Sequence, residues 1–80
     1  MISELASQEK VIGVKQSRRA IREGRATRVF LADDADPRVT ETIRELCGQC
    51  NVPVIDVPAM RELGKACGIA VGAAVAAQLN

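Results

Sequence analysis

The stretch RVFLADDADPRVTETIRELCGQC, residues 28–50, carries the clearest secondary-structure signals in the chain. Its first five residues predict a strand, and residues 33–37 predict a turn. Asp36 followed by Pro37 is typical of a helix N-cap and of the first helical position. The helix is expected to run to about Gln49, and Asn51 can close it. Apolar side chains recur along it at the spacing of one helix face, at Val39, Ile43, Leu46, Cys47 and Cys50.

Three further elements are predicted on the N-terminal side of this stretch. Ser3 can cap a short helix that extends through about Lys10, and residues 11–14 form a brief strand-like stretch. A second helix is predicted over residues 16–23, with Gly24 as its left-handed cap. Its narrow buried stripe is predicted from small or apolar residues at helical spacing, which are Ser17, Ala20, Ile21 and Gly24.

On the C-terminal side, two strands are separated by a helix and a glycine-bounded loop. Residues 52–57 predict a strand, and Pro53 within it indicates an edge position. A short helix over residues 58–66 precedes a loop at residues 67–72. Residues 73–79 are small and apolar on both faces, which predicts a central strand packed between helices.

Helices and strands therefore alternate, as in an α/β protein. We expect a three-layer α/β/α sandwich around a mixed four-stranded sheet, formed by residues 1–80 as a single domain. The longest apolar run, residues 66–77, is shorter than the ~20 residues that span a bilayer, and the polar N-terminus is unlike a signal peptide. The expected location is cytoplasmic, with reduced cysteines and no membrane partner.

The composition excludes several classes of function. The chain has no histidine, which excludes a Ser-His-Asp triad, a Cys-His pair and a zinc site with imidazole ligands. Phe30 is its one aromatic residue, so it cannot present the several stacked aromatics with which common single-strand readers hold bases. No cofactor is expected.

The positive charge is concentrated in one part of the chain. The formal net charge is +1, but the Lys and Arg residues of residues 10–28 outnumber their single acid, Glu23, by six. Four of these cations recur at the spacing of one helix face, at Lys15, Arg18, Arg19 and Arg22. Such a face commonly binds phosphate, and the alternative is a solvated face without a partner.

Cys47 and Cys50 form a C-x-x-C pair, which can be a redox dithiol or part of a metal site. Redox chemistry needs a thiolate stabilised at a helix N-terminus, whereas this pair falls in the last turn of a predicted helix. As a metal site the pair is incomplete, since Cys67 is the only further thiol. We interpret the pair as two buried small hydrophobic residues and keep a small dithiol protein as an alternative.

Two other clusters have simpler explanations than a ligand site. Asp33, Asp34 and Asp36 could hold a divalent ion, but a turn that caps a helix accounts for them, and no metal is expected. The glycines spaced four residues apart from Gly64 to Gly72 match neither the P-loop nor the dinucleotide-binding spacing.

The segment GVKQSRR, residues 13–19, joins a predicted strand to a predicted helix. A glycine at this point lets another backbone approach, and the free N–H groups of the first helical turn can meet an anion. Lys15 and Gln16 can contact base edges, while Arg19 or Arg22 can meet phosphates. The alternative is a glycine turn followed by a basic helix that faces solvent.

Three segments together resemble one known family. They are residues 13–19 (GVKQSRR), residues 32–37 (ADDADP) and residues 63–72 (LGKACGIAVG). In order and spacing they resemble the kink-turn-binding ribosomal-protein family, and in particular its short bacterial branch. The resemblance covers nearly the whole chain. It implies an α/β/α sandwich that binds kink-turn RNA, an internal loop with tandem sheared G·A pairs and a sharply bent backbone.

The same resemblance implies roles for individual residues. The family motif that contacts the G·A pairs corresponds to Gly13, Lys15, Gln16 and Arg19, and Lys followed by Gln is the form of the bacterial branch. The family's acidic-Pro turn, which lies near a flipped-out nucleotide, corresponds to Asp36.

A later loop of the family lays apolar side chains against looped-out bases. In this chain the corresponding residues are Ile69, Ala70 and Val71. The candidate RNA-binding set is completed by Arg18, Arg22 and Lys65.

We therefore expect a non-enzymatic RNA-binding protein that recognises a kink-turn in ribosomal RNA or in a messenger RNA leader such as a riboswitch, and stabilises its bent state. DNA is not an expected partner, and association with the ribosome stays open. One alternative is a structural ribosomal subunit with little affinity for isolated kink-turns. The other is the dithiol protein built on Cys47 and Cys50.

Overall fold

The structure, a computed structural model, describes residues 9–79. In chain order its elements are β1 (Lys10–Ile12), α1 (Val14–Arg22), β2 (Ala26–Ala32), α2 (Pro37–Cys50), β3 (Val54–Val57), α3 (Met60–Ala66) and β4 (Val75–Leu79). The predicted alternation of strands and helices is confirmed over these residues. The helix predicted from Ser3 to about Lys10 lies almost wholly outside these residues. Its expected end is wrong, because Lys10 begins β1.

The strands form one mixed sheet in the order β1-β4-β2-β3. β4 is antiparallel to both of its neighbours and pairs Ala76 with Ile12 of β1 and with Phe30 of β2. β3 runs parallel to β2, with Ile55 opposite Phe30, and lies at the edge of the sheet, as Pro53 indicated. β4 is thus an inner strand, as its small apolar residues predicted.

Two hydrophobic clusters lie on opposite faces of the sheet, because side chains alternate along each strand. α1 and α2 cover one face, where Ile21 and Ile43 pack with Val75. α3 covers the other face, where Leu63 packs with Ala76. Consecutive residues of β4 therefore belong to different clusters. The predicted three-layer α/β/α sandwich around a mixed four-stranded sheet is confirmed.

α2 begins and ends where the sequence predicts. Asp36 is its N-cap and accepts a hydrogen bond from the Arg38 N–H at 2.9 Å, and Pro37 is the first helical residue. Asn51 closes the helix in the left-handed conformation, with a φ of 58°. No helix in residues 9–79 combines the length and the apolar character that crossing a membrane requires.

Two residues expected in buried stripes are exposed. Cys50 is the last residue of α2, and residues 48–51 are all exposed, so the helix after Cys47 lies beyond the packed interface. Gly24 adopts the predicted left-handed conformation, with a φ of 72°, but it follows Glu23, the C-cap of α1, and helical spacing no longer applies there. The other members of the α1 stripe are buried, namely Ser17, Ala20 and Ile21.

Candidate nucleic-acid interface

The three segments that the sequence singled out meet at one edge of the sheet, the one formed by the ends of the strands rather than by an outer strand. β1, β2 and β3 end at this edge and β4 begins there. Two backbone hydrogen bonds fix the junctions: Gly13 N–H donates to the Val75 oxygen at 2.9 Å, and Ala32 N–H donates to the Ala74 oxygen at 3.0 Å. We name this surface the recognition edge and define it as residues 13–19, 33–36 and 67–74.

Gly13 starts α1 at the recognition edge in a backbone conformation that favours glycine, with a φ of 104°. A Cβ there would meet nothing within 4 Å, so its backbone angle, rather than the close approach of another chain segment, requires the glycine. Because Gly13 has no side chain, it cannot cap the N–H groups of the first helical turn. Those groups are oriented to meet an anion.

A basic face runs along α1, opposite the side that packs on the sheet. Lys15, Arg19 and Arg22 are exposed and Arg18 is half-buried. Together with Gln16 and Glu23 these cations line one shallow depression. Among residues 9–79, no acidic group forms an ion pair with Lys15, Arg18 or Arg22. These three charges can meet phosphate without breaking an internal ion pair.

Arg19 has an internal partner, but a weak one. Its Nε lies 3.4 Å from Oε2 of Glu23, and Arg25 reaches the other oxygen of the same carboxylate at 3.2 Å. Hydrogen bonds from Arg25 and then from Arg19 hold the pKa of Glu23 below its usual range. The Arg19 side chain is 73% exposed, and ion pairs that exposed contribute little. Arg19 can therefore exchange the carboxylate for a phosphate.

In the acidic turn at residues 33–36, the Asp36 carboxylate forms hydrogen bonds within the protein. The Asp36 carboxylate accepts from the Arg38 backbone N–H and, at 2.8 Å, from the Arg38 guanidinium. The hydrogen bond from the guanidinium, and then that from the backbone N–H, hold the pKa of Asp36 below its usual range. Asp36 thus lies at the recognition edge, but its carboxylate is engaged in starting α2. Within residues 9–79 no cluster of potential ligands could hold a metal ion.

Residues 67–74 leave the end of α3, fold back along this helix and lead into the start of β4. Ile69 N–H donates to the Gly64 oxygen at 3.0 Å. Further along the loop, Ala73 N–H donates to the Met60 oxygen, also at 3.0 Å. The loop is therefore bonded to both the middle and the start of the helix.

The three apolar side chains of this loop differ in exposure. Val71 is 70% exposed, and Ala70 is exposed as well. Ile69 is half-buried and packs against the α3-side cluster. The Ile69 side chain therefore supports the loop from the core side, and contact of these three residues with a looped-out base stays a prediction.

Gly64 and Gly72 hold the loop against α3, a role that the sequence did not reveal. A Cβ at Gly64 would overlap the carbonyl oxygen of Val71. A Cβ at Gly72 would lie 3.1 Å from Cβ of Met60, closer than ordinary contact. The signal in the sequence is the four-residue spacing of these glycines, which matches no phosphate-binding motif.

One candidate residue lies away from the recognition edge. Arg22 is eight residues beyond the start of α1, about 12 Å along its axis. Lys65 is exposed in the last turn of α3, next to residues 67–74, and its carbonyl oxygen accepts from the Gly68 N–H at 3.0 Å. These two cations flank the site, whereas Lys15 and Gln16 lie in the first turn of α1.

The cysteines are arranged unlike a reactive dithiol. Cys47 and Cys50 lie in the last turn of α2, as predicted, but only Cys47 is buried. Burial raises the pKa of the Cys47 thiol and also that of the buried Cys67 thiol. A reactive pair needs the opposite shift. The interpretation of Cys47 as a small hydrophobic residue is supported, and that of Cys50 as a buried one is wrong.

Comparison with known proteins finds close relatives over nearly the whole chain. An RNA-binding protein of Geobacillus sp. strain WCH70 is 47% identical over 73 residues, which cover 91% of this chain and 89% of the relative. The RNA-binding protein YbxF of Geobacillus stearothermophilus is 51% identical over 70 residues, covering 88% and 85%.

Solved structures share the fold. The 15.5 kD RNA binding protein of Giardia lamblia superimposes with a TM-score of 0.90 at 27% identity, over 99% of this chain and 68% of that chain. A protein of unknown function from Bacillus halodurans C superimposes with a TM-score of 0.89 at 25% identity, over 99% and 83%.

The resemblance stated from the three sequence segments is confirmed by a match of residues 3–80 to the pattern of one ribosomal-protein family. This chain belongs to the ribosomal protein L7Ae/L30e/S12e/Gadd45 family.

Proposed function

We propose that this chain is a non-enzymatic, cytoplasmic RNA-binding protein that recognises kink-turns and stabilises their bent state. The observation that carries the proposal is the meeting, at one sheet edge, of the uncapped start of α1 with the loop that exposes Val71. Relatives at about half sequence identity are named RNA-binding proteins, which supports the same class of ligand. The RNA would be ribosomal or the leader of a messenger.

The start of α1 fits a bent RNA better than a straight one. An A-form major groove is too deep and narrow for side chains to read, but a sharp bend widens it locally. Lys15 and Gln16 then project from the first helical turn toward the base edges of the G·A pairs. Arg19, whose pairing with Glu23 is weak, can meet the phosphates beside them.

Residues 67–74, which we name the Val71 loop, supply the complementary contact. Bases expelled at a kink lose their stacking partners and expose apolar faces to water. An exposed valine on a loop anchored at both ends can cover such a base without first being ordered. Because the chain has one aromatic residue, and Phe30 is buried, aliphatic cover takes the place of aromatic stacking.

Stabilisation of the bend follows from these contacts. A kink-turn brings phosphates close together, so its folded state is opposed by their repulsion. The cations of α1 offset that repulsion only in the bent form, where several phosphates lie within reach. The protein therefore shifts an existing equilibrium toward the bent RNA, by the difference in its affinity for the two forms.

The test is a binding titration with three RNAs of equal length. One carries a kink-turn, the second has its G·A pairs replaced by Watson–Crick pairs, and the third is a straight duplex. We expect tight binding to the first and a loss of about 100-fold or more on the others at physiological salt. Equal affinity for all three would contradict kink-turn recognition and leave a non-specific phosphate binder.

The same titration addresses the structural ribosomal subunit. That alternative predicts weak binding to every isolated RNA, together with sedimentation of the chain with ribosomes. Weak binding to the kink-turn RNA would therefore reject the proposal in favour of the alternative.

A further inference from the structure

We propose that Asp34 is a positioning residue for RNA recognition, because its carboxylate fixes the Val71 loop relative to the start of α1. The inference rests on the proposed function and concerns how the recognition edge is held in shape. The resemblance assigns no role to Asp34, and the sequence offers only its membership of an acidic turn.

The Asp34 carboxylate accepts a hydrogen bond from the backbone of α3, whereas Asp36 of the same turn accepts from the start of α2. Asp34 Oδ1 accepts this hydrogen bond from the Met60 N–H at 2.8 Å, across 26 residues of chain. Met60 is the first residue of α3, and its N-cap Ala59 has no side-chain acceptor. The Asp34 carboxylate thus takes the place of a capping side chain for this helix.

The residue that Asp34 holds is also the residue on which the loop closes. The Met60 oxygen accepts from the Ala73 N–H at 3.0 Å, and Gly72 packs directly against Met60. A continuous path therefore leads from the Asp34 carboxylate through the Met60 peptide groups to the end of the Val71 loop.

The other end of this path is anchored in the sheet. Asp33 N–H donates to the Val57 oxygen at 2.7 Å, so the acidic turn is fixed to the end of β3. Ala32, just before the turn, donates to Ala74, the last residue before β4, and the next residue, Val75, accepts from Gly13. Asp34 therefore closes a ring of contacts that joins the turn, α3, the loop and the start of α1.

A carboxylate at a surface that meets phosphates is electrostatically unfavourable unless it performs another task. Charge removal at Asp34 should by itself favour RNA binding. Loss of its hydrogen bond should instead free the start of α3 and the loop, which must then be ordered again on binding. The two effects have opposite signs, so variants can separate them.

Four proteins make the test: the wild type, Asp34→Ala, Asp34→Asn and the control Asp33→Ala. Asp33→Ala removes the same charge from the neighbouring exposed position, and within residues 9–79 the Asp33 carboxylate accepts no hydrogen bond. Asp34→Asn removes the charge but keeps a carbonyl oxygen that can accept from Met60. Each is titrated with the kink-turn RNA and with the RNA whose G·A pairs are changed.

We expect Asp34→Ala to bind the kink-turn RNA about tenfold more weakly than the wild type. Asp34→Asn should bind within about twofold of the wild type or more tightly. Asp33→Ala should bind more tightly than the wild type, because it removes a negative charge from the recognition edge and no hydrogen bond. Wild-type affinity in Asp34→Ala, or an equal loss in Asp33→Ala, would overturn the inference.

A second measurement uses the free protein and keeps the inference testable without RNA. Amide hydrogen exchange at Met60 and Ala73 should accelerate in Asp34→Ala and return to the wild-type rate in Asp34→Asn. Acceleration spread evenly over β2 and β4 would mean global destabilisation and would contradict a positioning role.

A double-variant cycle with Val71→Ala completes the test. If Asp34 acts through the loop, its loss should weaken binding less in the Val71→Ala background than in the wild type. Full additivity would overturn the inference. Failure of the wild type to distinguish the two RNAs would overturn the proposed function itself, whereas exchange at Met60 would still report on Asp34.

Discussion

The two halves of the recognition edge are built by opposite means. On α1, the side chains that would meet RNA are exposed, while a different face, with Ala20 and Ile21, packs on the sheet. In the loop, the same few residues both pack against the protein and expose the side chains that would meet RNA. Val71 exposes its side chain while its carbonyl lies against Gly64.

This difference predicts how each half responds to substitution. On the α1 half, charge can be removed with little effect on folding, because the packing residues are untouched. In the loop half, the position of Val71 depends on how the loop packs against α3. The backbone contact between Gly64 and Val71 therefore affects both stability and RNA recognition. The two halves should also differ in salt dependence, since only one of them acts through charge.

The largest expected effect is that of Gly64→Ala. The added Cβ would overlap the Val71 carbonyl oxygen, and backbone cannot move aside as a side chain can. We expect a loss of about 1–3 kcal/mol in the free energy of unfolding, measured in urea, with a displaced loop and weakened RNA binding.

Gly48→Ala is the matched control for that variant. Gly48 lies within α2, and a Cβ there meets nothing within 4 Å. The same substitution should therefore raise stability by about 0.5–1 kcal/mol through helix propensity. If Gly64→Ala were as stable as Gly48→Ala and bound RNA normally, the close contact would have no role.

Val71→Asp tests the loop half without disturbing its packing. The side chain is 70% exposed, so stability should be unchanged, while a charge set against an expelled base should weaken kink-turn binding by about tenfold. Val71→Thr, of nearly the same volume and without charge, should bind much more tightly than Val71→Asp. Equal affinities for the two variants would remove Val71 from the interface.

Lys15→Ala tests the α1 half through salt dependence. If Lys15 meets one phosphate, the slope of log affinity against log salt should fall by roughly one unit, with stability unchanged. The control is Arg44→Ala, whose guanidinium lies 2.7 Å from Asp56 on another part of the surface. An unchanged slope in Lys15→Ala would mean that Lys15 does not neutralise phosphate.

The smallest effect belongs to Asp36 and depends on pH. Its pKa is lowered in the folded state, so the ionised carboxylate stabilises α2 at neutral pH, and this contribution is lost as the pH falls below about 4. The difference in melting temperature between the wild type and Asp36→Ala should therefore shrink on acidification. A difference that does not vary with pH would contradict the role of the charged cap.

Local signals predicted the fold well because most elements begin and end on local chemistry. α2 is specified by the Asp36-Pro37 start, its apolar period and the left-handed Asn51. Helical spacing wrongly predicts that Cys50 and Gly24 are buried. Cys50 is the last residue of α2 and Gly24 lies past the end of α1, and neither position packs against the core.

Only part of the candidate site could be predicted from local signals in the sequence. Charge spacing is enough to find the basic face of α1, from Lys15 to Arg22. The Gly64–Val71 and Asp34–Met60 contacts join residues that no sequence period relates, so they could be found only from the folded chain.

The most direct test of the account is to map the bound surface by amide chemical-shift changes as kink-turn RNA is added. The largest changes should fall in residues 13–19 and 69–73, with little change at the exposed end of α2 around Cys50. Changes centred on that end of α2 or on β3, with Gly13 and Val71 unaffected, would contradict it.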